Sequence, residues 1–594
     1  FDESGDEDQI TSIAIGSEDS TEFGNNIEKA FRGAQNMTKY NQVGAATSTV
    51  SDFERTWENC SGITGTFPLI DTSSGTIFVR AWHNCSGITT FPTIDTSSGT
   101  NLGLAWGDCS GLTSFPLIDT SSATVLEGTW IDCTGLTTFP LINTSSVTNF
   151  INTWRNCPGI GGSFPQIDTS SGTNFSSTWA GCSGITTFPL IDTSSGTTFG
   201  STWNGCSGIG GSFPLIDTSS GTSFRNTWQN CSGITTFPLI NTSSGTLFGR
   251  AWSGCSGLTS FPLINTSSGT NFDFTWTNCS GLTSFPALDF SNATSVGQAW
   301  NGLSNLVEFP SVDFSSVTGS FRRTWYFNTS LTTYPANQFD NISSTPTNGF
   351  QDAWRSCALT SQSIENIITS LDTNGQQNIQ LGLNSGQNAN ASTWSTDAII
   401  AYRNLINKSW TIYQNGTPSM SDLEYTISNS GTSFTLRSTG TVNYTVDWGD
   451  GSSLETSTSN TLAHTYSSSG TYVVKINSNS GTYRPYFNNS TDEDQITSVA
   501  IGIESSSFST GFGHNIERAF LGAQNMTKYN QVGAATSSVE DFERTWDSCS
   551  GLTSFPLIDT SSGTNFTLSW RGCSGITTFP TIDTSSGTSF SNTW

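Results

Sequence analysis

Thirteen cysteines, each three residues after a tryptophan, are the most reactive side chains of this sequence. Zinc-type sites draw on close pairs such as Cys-x-x-Cys, and none occurs here. Disulfides between repeat units need sulfurs that face each other, whereas equivalent positions of stacked units point the same way. A buried, reduced column of small fillers is the expected arrangement. A second set is acidic: Asp71, Asp95, Asp119, Asp168, Asp192, Asp217, Asp289 and Asp313 recur at one repeat position, where Asn143, Asn241 and Asn265 also stand. A row of carboxylates would need calcium or hydrogen bonds to offset repulsion. The exchange with Asn favours an acceptor that caps a turn. A third set, Asp6, Glu7 and Asp8, with Asp492, Glu493 and Asp494, offers a calcium site at a domain joint, against the preferred reading of solvated acidic turns. Only three histidines exist, none beside a recurring nucleophile, so triad chemistry is not expected. No unique carboxylate pair of the glycosidase type stands out either.

These residues must be positioned by a repeat. The tryptophans from Trp57 to Trp325 fall 24 or 25 residues apart, and the pattern resumes at Trp546, Trp570 and Trp594. A period in the twenties marks a solenoid whose coils each bury an apolar face against their neighbours. In the copy starting at Trp179, the expected core positions are Trp179, Cys182, Phe188, Ile191, Phe199, Trp203 and Cys206. Phe199, Trp203 and Cys206 are spaced four and three apart, which predicts one face of a short helix. The following Ile-Thr-Thr-Phe-Pro-Leu-Ile stretch predicts a strand, and its proline keeps that strand short. The residue after the proline is Leu, Thr, Gln, Ala or Ser, so it should face solvent. Helices pack ~8–10 Å apart and strands ~4.8 Å, so such an array should curve with its strands on the concave side.

Residues 1–56 read as an opening cap, with a strand over Ile10–Ile15 and a degenerate coil from Ile27 to Val43. Residues 57–356 are the solenoid and 357–417 a closing cap with helices over Ile364–Leu371 and Ala398–Ile406. Residues 418–485 alternate in the β manner and predict a small all-β sandwich. Residues 486–594 start the solenoid again: Asp6–Ile10 returns as Asp492–Ile496, and Ala34–Tyr40 as Ala523–Tyr529. Because this longer period overlies the short one and the chain stops at Trp594 in mid-coil, it is read as a window cut from a longer tandem array. The formal charge of −26 disfavours nucleic acid and anionic membranes as partners, and no apolar run reaches the ~20 residues that span a bilayer.

The motif Thr-Trp-x-x-Cys-x-x-Leu-Thr-Ser-Phe-Pro resembles the coil of BspA-like leucine-rich-repeat surface proteins, with Trp for the usual Phe. Asp447-Trp448-Gly449-Asp450-Gly451, His464-Thr465-Tyr466 and Gly470-Thr471-Tyr472 are similar to the PKD (polycystic kidney disease) domain, making Trp448 and Asp450 structural residues. The expected fold is therefore an α/β leucine-rich-repeat solenoid of about 24-residue coils with an inserted PKD-like sandwich. The resemblances imply an extracellular protein at a cell or virion surface. The expected function is a non-enzymatic fibre or stalk for adhesion or structural display, without catalytic residues or a required cofactor. Its expected partners are other copies of itself in a tandem or fibrous assembly, and host-surface glycans or proteins. The alternative is a carbohydrate- or protein-binding module that uses the concave face, assisted by calcium.

Overall fold

A computed structural model describes residues 7–16, 23–43, 46–418, 421–481, 483–487, 491–502, 512–532 and 535–594. The chain forms two compact units, Phe1–Asn390 with Lys408–Asn415, and Ala391–Asn407 with Gly416–Trp594.

In the first unit, β1 (Ser12–Gly16) pairs in parallel with β2 (Lys39–Val43), placing Ile13 opposite Tyr40. The coils then stack as the period requires. Parallel bridges run unbroken, one coil to the next, from Asn26 through Thr198 to Ser295. Beside them lie very short parallel pairs: β3 (Gly65–Thr66) with β4 (Ile88–Thr90), β5 (Gly162–Ser163) with β6 (Ile185–Thr187), and β7 (Gly211–Ser212) with β8 (Ile234–Thr236). The proline that follows each aromatic ends these strands, since it has no N–H to donate.

The helix expected over Phe199–Cys206 does not form. That stretch is a run of turns, and among the described residues α-helix occurs only over Ser361–Asn374 and Thr396–Asn407, outside the coils. The cause lies in the backbone. Ser201 and Gly205 sit at φ 57° and 77°, in the left-handed region, which a right-handed helix cannot contain. The same two positions, before and after the tryptophan, are left-handed in coil after coil: Asn226 and Asn230, Arg250 and Gly254, Phe274 and Asn278. With φ reversed there, amides alternate between two targets. Phe199, Ser201, Trp203 and Gly205 donate to Ser223, Arg225, Thr227 and Gln229 of the next coil, whereas Thr202, Asn204 and Cys206 donate three residues back within their own. The turn side of the coil is thus itself a ladder, and the helix-against-strand mismatch that predicted a concave strand face is absent.

The first unit closes with α1 (Ser361–Asn374), whose N-cap Thr360 accepts from the Ser363 amide, and which Gly375 ends at φ 80°. Its Ile364, Ile367, Ile368 and Leu371 are buried, as amphipathic spacing demands. Then β9 (Gln380–Gly382) pairs in parallel with β10 (Thr411–Tyr413). The helix α2 (Thr396–Asn407), expected in the same closing cap, belongs to the second unit. There Thr396 Oγ1 hydrogen-bonds the Glu424 carboxylate, and Asp397 pairs with Lys528 at 3.2 Å.

The second unit holds the sandwich: β11 (Leu423–Ser430), β12 (Ser433–Arg437), β13 (Val442–Asp447), β14 (Glu455–Ser457), β15 (Thr461–Thr465) and β16 (Ser469–Gly481). Alternation along β13 buries Val442, Tyr444 and Val446 on one face. The returning solenoid contributes β17 (Ile496–Gly502) and β18 (Lys528–Val532). One sheet runs in the order β14-β13-β16-β11-β17-β18, with β12 and β15 as a second layer. β17 is antiparallel to β11 and parallel to β18. The first strand of the sandwich is thus hydrogen-bonded into the opening strand of the returning solenoid.

Candidate functional site

Most coils contribute to three aromatic columns, the third being filled by Leu102, Leu126 and Val296 in three of them. The Trp179 and Trp203 rings stack at 5.8 Å with planes 8° apart, and Phe188 meets both edge-on, at 4.9 and 5.5 Å. Phe199 stacks on Phe175 and Phe224 at 5.7 and 5.8 Å. Ile191 closes the same core. Such contacts add to area burial through the ring quadrupole. The indole N–H of Trp179 and Trp203 has no hydrogen-bond acceptor. The polar end of each coil tryptophan from Trp57 to Trp354 is therefore given up to packing.

All thirteen cysteines are buried and free. Each has more than a filling role. The Cys206 thiol donates to the Trp179 carbonyl at 3.0 Å and Cys182 to Trp154 at 2.9 Å, a contact repeated coil by coil. Burial pushes the Cys182 and Cys255 thiols up to about 12, only partly offset by a backbone hydrogen bond. Deprotonation, and with it nucleophilic or ligand chemistry, is disfavoured there. Two hydroxyl columns work in the same way: Thr202 Oγ1 donates to Phe199 and Phe175 carbonyls at 2.8 and 2.9 Å, and Thr193 Oγ1 to the Asp217 carbonyl at 2.5 Å.

The acid column lies on the surface and caps turns. Asp95 Oδ1 accepts from the Ser97 amide and hydroxyl at 2.9 and 2.7 Å, and Asn143 Oδ1 accepts the same pair from Ser145 at 3.1 and 2.8 Å. An amide oxygen therefore serves as well as a carboxylate. The Ser97 hydroxyl and amide hold the Asp95 carboxyl below its ordinary value, and the Ser194 amide and hydroxyl do so for Asp192.

The candidate calcium residues are dispersed among structural partners. Asp6 lies outside the described residues. Glu7 is buried against Gly33, and the Asp8 carbonyl accepts from Asn36. Asp492 meets Arg437 at 3.1 Å and accepts the Thr435 amide at 3.2 Å; Glu493 is buried, and the Asp494 carbonyl accepts from Asn525. Among the described residues no three His, Cys, Asp or Glu gather in a metal-holding group.

In the sandwich the two motifs come together. The Trp448 and His464 rings stack at 4.8 Å, His464 Nε2 lies 2.7 Å from Asp450, and the Tyr466 hydroxyl donates to the Trp448 carbonyl at 3.0 Å. Hydrogen bonds from Ser452 and His464 hold the Asp450 carboxyl down at about 2. His83 bonds Asp108 at 3.0 Å, and burial lowers its affinity for protons against the pull of Asp108 and Glu58. His514 lies 3.2 Å from Glu540.

What the coils present outward is periodic. Leu69, Leu117, Leu141, Leu190, Leu215, Leu239 and Leu263, each following the proline, are 58–66% exposed. Thr93, Gln166 and Ala287 occupy the same exposed position in the intervening coils. Alongside, exposed threonines link rungs: Thr113 Oγ1 donates to the Thr89 carbonyl at 3.2 Å and Thr137 to Thr113 at 3.0 Å. The outward turn of this position was readable from its mixed composition; that leucine prevails there, forming an apolar stripe, was the overlooked signal.

Fold and surface together define a solenoid of stacked coils joined to a β-sandwich. Residues 422–481 match the PKD domain family, whose members are typical of extracellular proteins. No curated protein matches the chain. Among the described residues no helix is long and apolar enough to cross a membrane.

Proposed function

We propose that this chain is a non-enzymatic, extracellular repeat protein that builds a fibre or stalk for surface adhesion or structural display, at a cell or virion surface. The observation that carries the reading is the exposed stripe of leucines and threonines, with leucine at the same position in most coils. A catalytic site is one irregular, preorganised constellation, whereas a stripe repeated per rung multiplies one weak contact into avidity. The Trp-x-x-Cys-x-x-Leu pattern supports kinship with BspA-like leucine-rich-repeat surface proteins, and the sandwich supports an extracellular setting. Partners are other copies of the chain and host-surface proteins or glycans. A second reading, a dedicated protein-binding module, is favoured by the same stripe, since apolar surface concentrated in a line marks a binding site; calcium would be an accessory. The test is a binding and self-association screen of the full chain beside a variant with Leu190, Leu215 and Leu239 changed to Ser. Those side chains are exposed, so the fold should persist while binding falls at least about tenfold. Unchanged binding, or a hydrolytic activity lost on a single substitution, would overturn the proposal.

A further inference from the structure

The opening strand occurs twice in nearly identical sequence, Asp6–Gly16 as DEDQITSIAIG and Asp492–Gly502 as DEDQITSVAIG, yet the two copies have different surroundings. On their inner side they agree. Thr38 Oγ1 donates to the Thr11 carbonyl at 3.1 Å and Thr527 Oγ1 to Thr497 at 3.2 Å; Asn36 and Asn525 each reach the Asp8 or Asp494 carbonyl at 2.7 Å. On the outer side they differ. β17 is covered by β11, with Leu423 opposite Ile501, Tyr425 opposite Val499 and Thr426 opposite Ser498. Thr497 Oγ1 donates to the Thr426 carbonyl at 3.1 Å, and Gln495 bonds Asn429 and the Ser433 carbonyl at 2.6 and 3.1 Å. Among the described residues β1 pairs with β2 alone. Burial follows: Val499, Ala500 and Ile501 are buried, whereas Ala14 is exposed and Ile13 and Ile15 only half-buried.

An uncovered strand edge is a template for another strand, and the strand that matches it, β11, already pairs with the second copy. We propose that the outer edge of β1 is a docking edge for a sandwich domain of the 421–487 kind. Such a domain adds its first strand antiparallel, with Leu423 opposite Ile15, Tyr425 opposite Ile13 and Thr426 opposite Ser12. Thr11 takes the place of Thr497, and Lys39 that of Lys528, which pairs with Asp397 of α2. The partner must bring a free first strand, because the sandwich of this chain already spends its own on β17. The inference stands independently of what the leucine stripe binds.

The experiment compares the chain as it is with one carrying a second copy of residues 391–486 joined ahead of Phe1, so that Tyr486 precedes Phe1 as it precedes Phe487. Hydrogen exchange is read at Ser12–Ile15 and at Ser498–Ile501. In the unextended chain the β1 amides should exchange at least about 100-fold faster than those of β17; in the extended chain they should slow to the β17 rate. The variant Ala14→Lys should leave the unextended chain unchanged, because Ala14 is exposed there, and should abolish the slowing in the extended one. Equal protection of β1 and β17 in the unextended chain, no slowing on extension, or slowing that survives Ala14→Lys would each overturn the proposal.

Discussion

At the scale of single residues, the coil is decided by backbone conformation as much as by hydrophobicity. The position two after each tryptophan is Asn, Asp or Gly in most coils, among them Asn59, Asp108, Gly205 and Asn230. These are the residue types that enter the left-handed region most easily. Asn230→Val should therefore cost about 1–2 kcal/mol, the penalty of a Cβ forced against the following carbonyl, while Asn230→Gly should stay within about 0.5 kcal/mol. Urea unfolding of both variants measures the difference. Asp450 makes a second prediction. Its folded carboxyl is held at about 2 by Ser452 and His464, below the roughly 4 of an unfolded aspartate. A depressed carboxylate contributes stability that is whole above the unfolded value and is lost as pH falls through the folded one. Sandwich stability should thus decline between about pH 4 and pH 2, and Asp450→Asn should flatten that decline, as read from urea midpoints across the acid range.

At the scale of the element, the coil is a stack of columns whose polar atoms are satisfied along the stacking direction. The thiols belong to this scheme, which sets their reactivity. With Cys182 pushed up to about 12 and every sulfur buried, a thiol reagent at pH 8 should modify native protein far more slowly than model thiols. Denatured protein without reductant should react at all thirteen cysteines. Cys-to-Cys crosslinks in mass spectra would reverse this. Much of the coil was legible in the sequence: the period showed stacking, the constant Trp, Phe, Cys and Ile showed the core, and the Asp–Asn exchange showed a turn acceptor. The helix was misread because spacings of four and three fit a helical face equally well as a tight turn run. The asparagine, aspartate or glycine directly before most of the cysteines carried the contrary information. Close approach of neighbouring coils was likewise hidden in a constant glycine: a Cβ on Gly208 would fall 2.2 Å from the Ser183 carbonyl oxygen.

At the scale of the whole molecule, the joint between sandwich and returning solenoid is a shared sheet. The sequence showed two compositions meeting near residue 485, but strand partnership across such a boundary depends on a register that no local pattern encodes. Thr426→Pro removes an amide beside β17. It should deprotect β17 and β18 in hydrogen exchange while the coils from Trp179 to Trp252 keep their protection. Equal loss in both regions would argue against a local joint. The alternating amides of the coil have one more consequence. Because every second bond on the turn side joins one coil to the next, tension applied at the two ends of the array pulls on those bonds a rung at a time rather than on all together. Each coil that peels away would release ~80 Å of chain for its ~24 residues, so stretching the array between its ends should lengthen it in steps of about that size, one per coil.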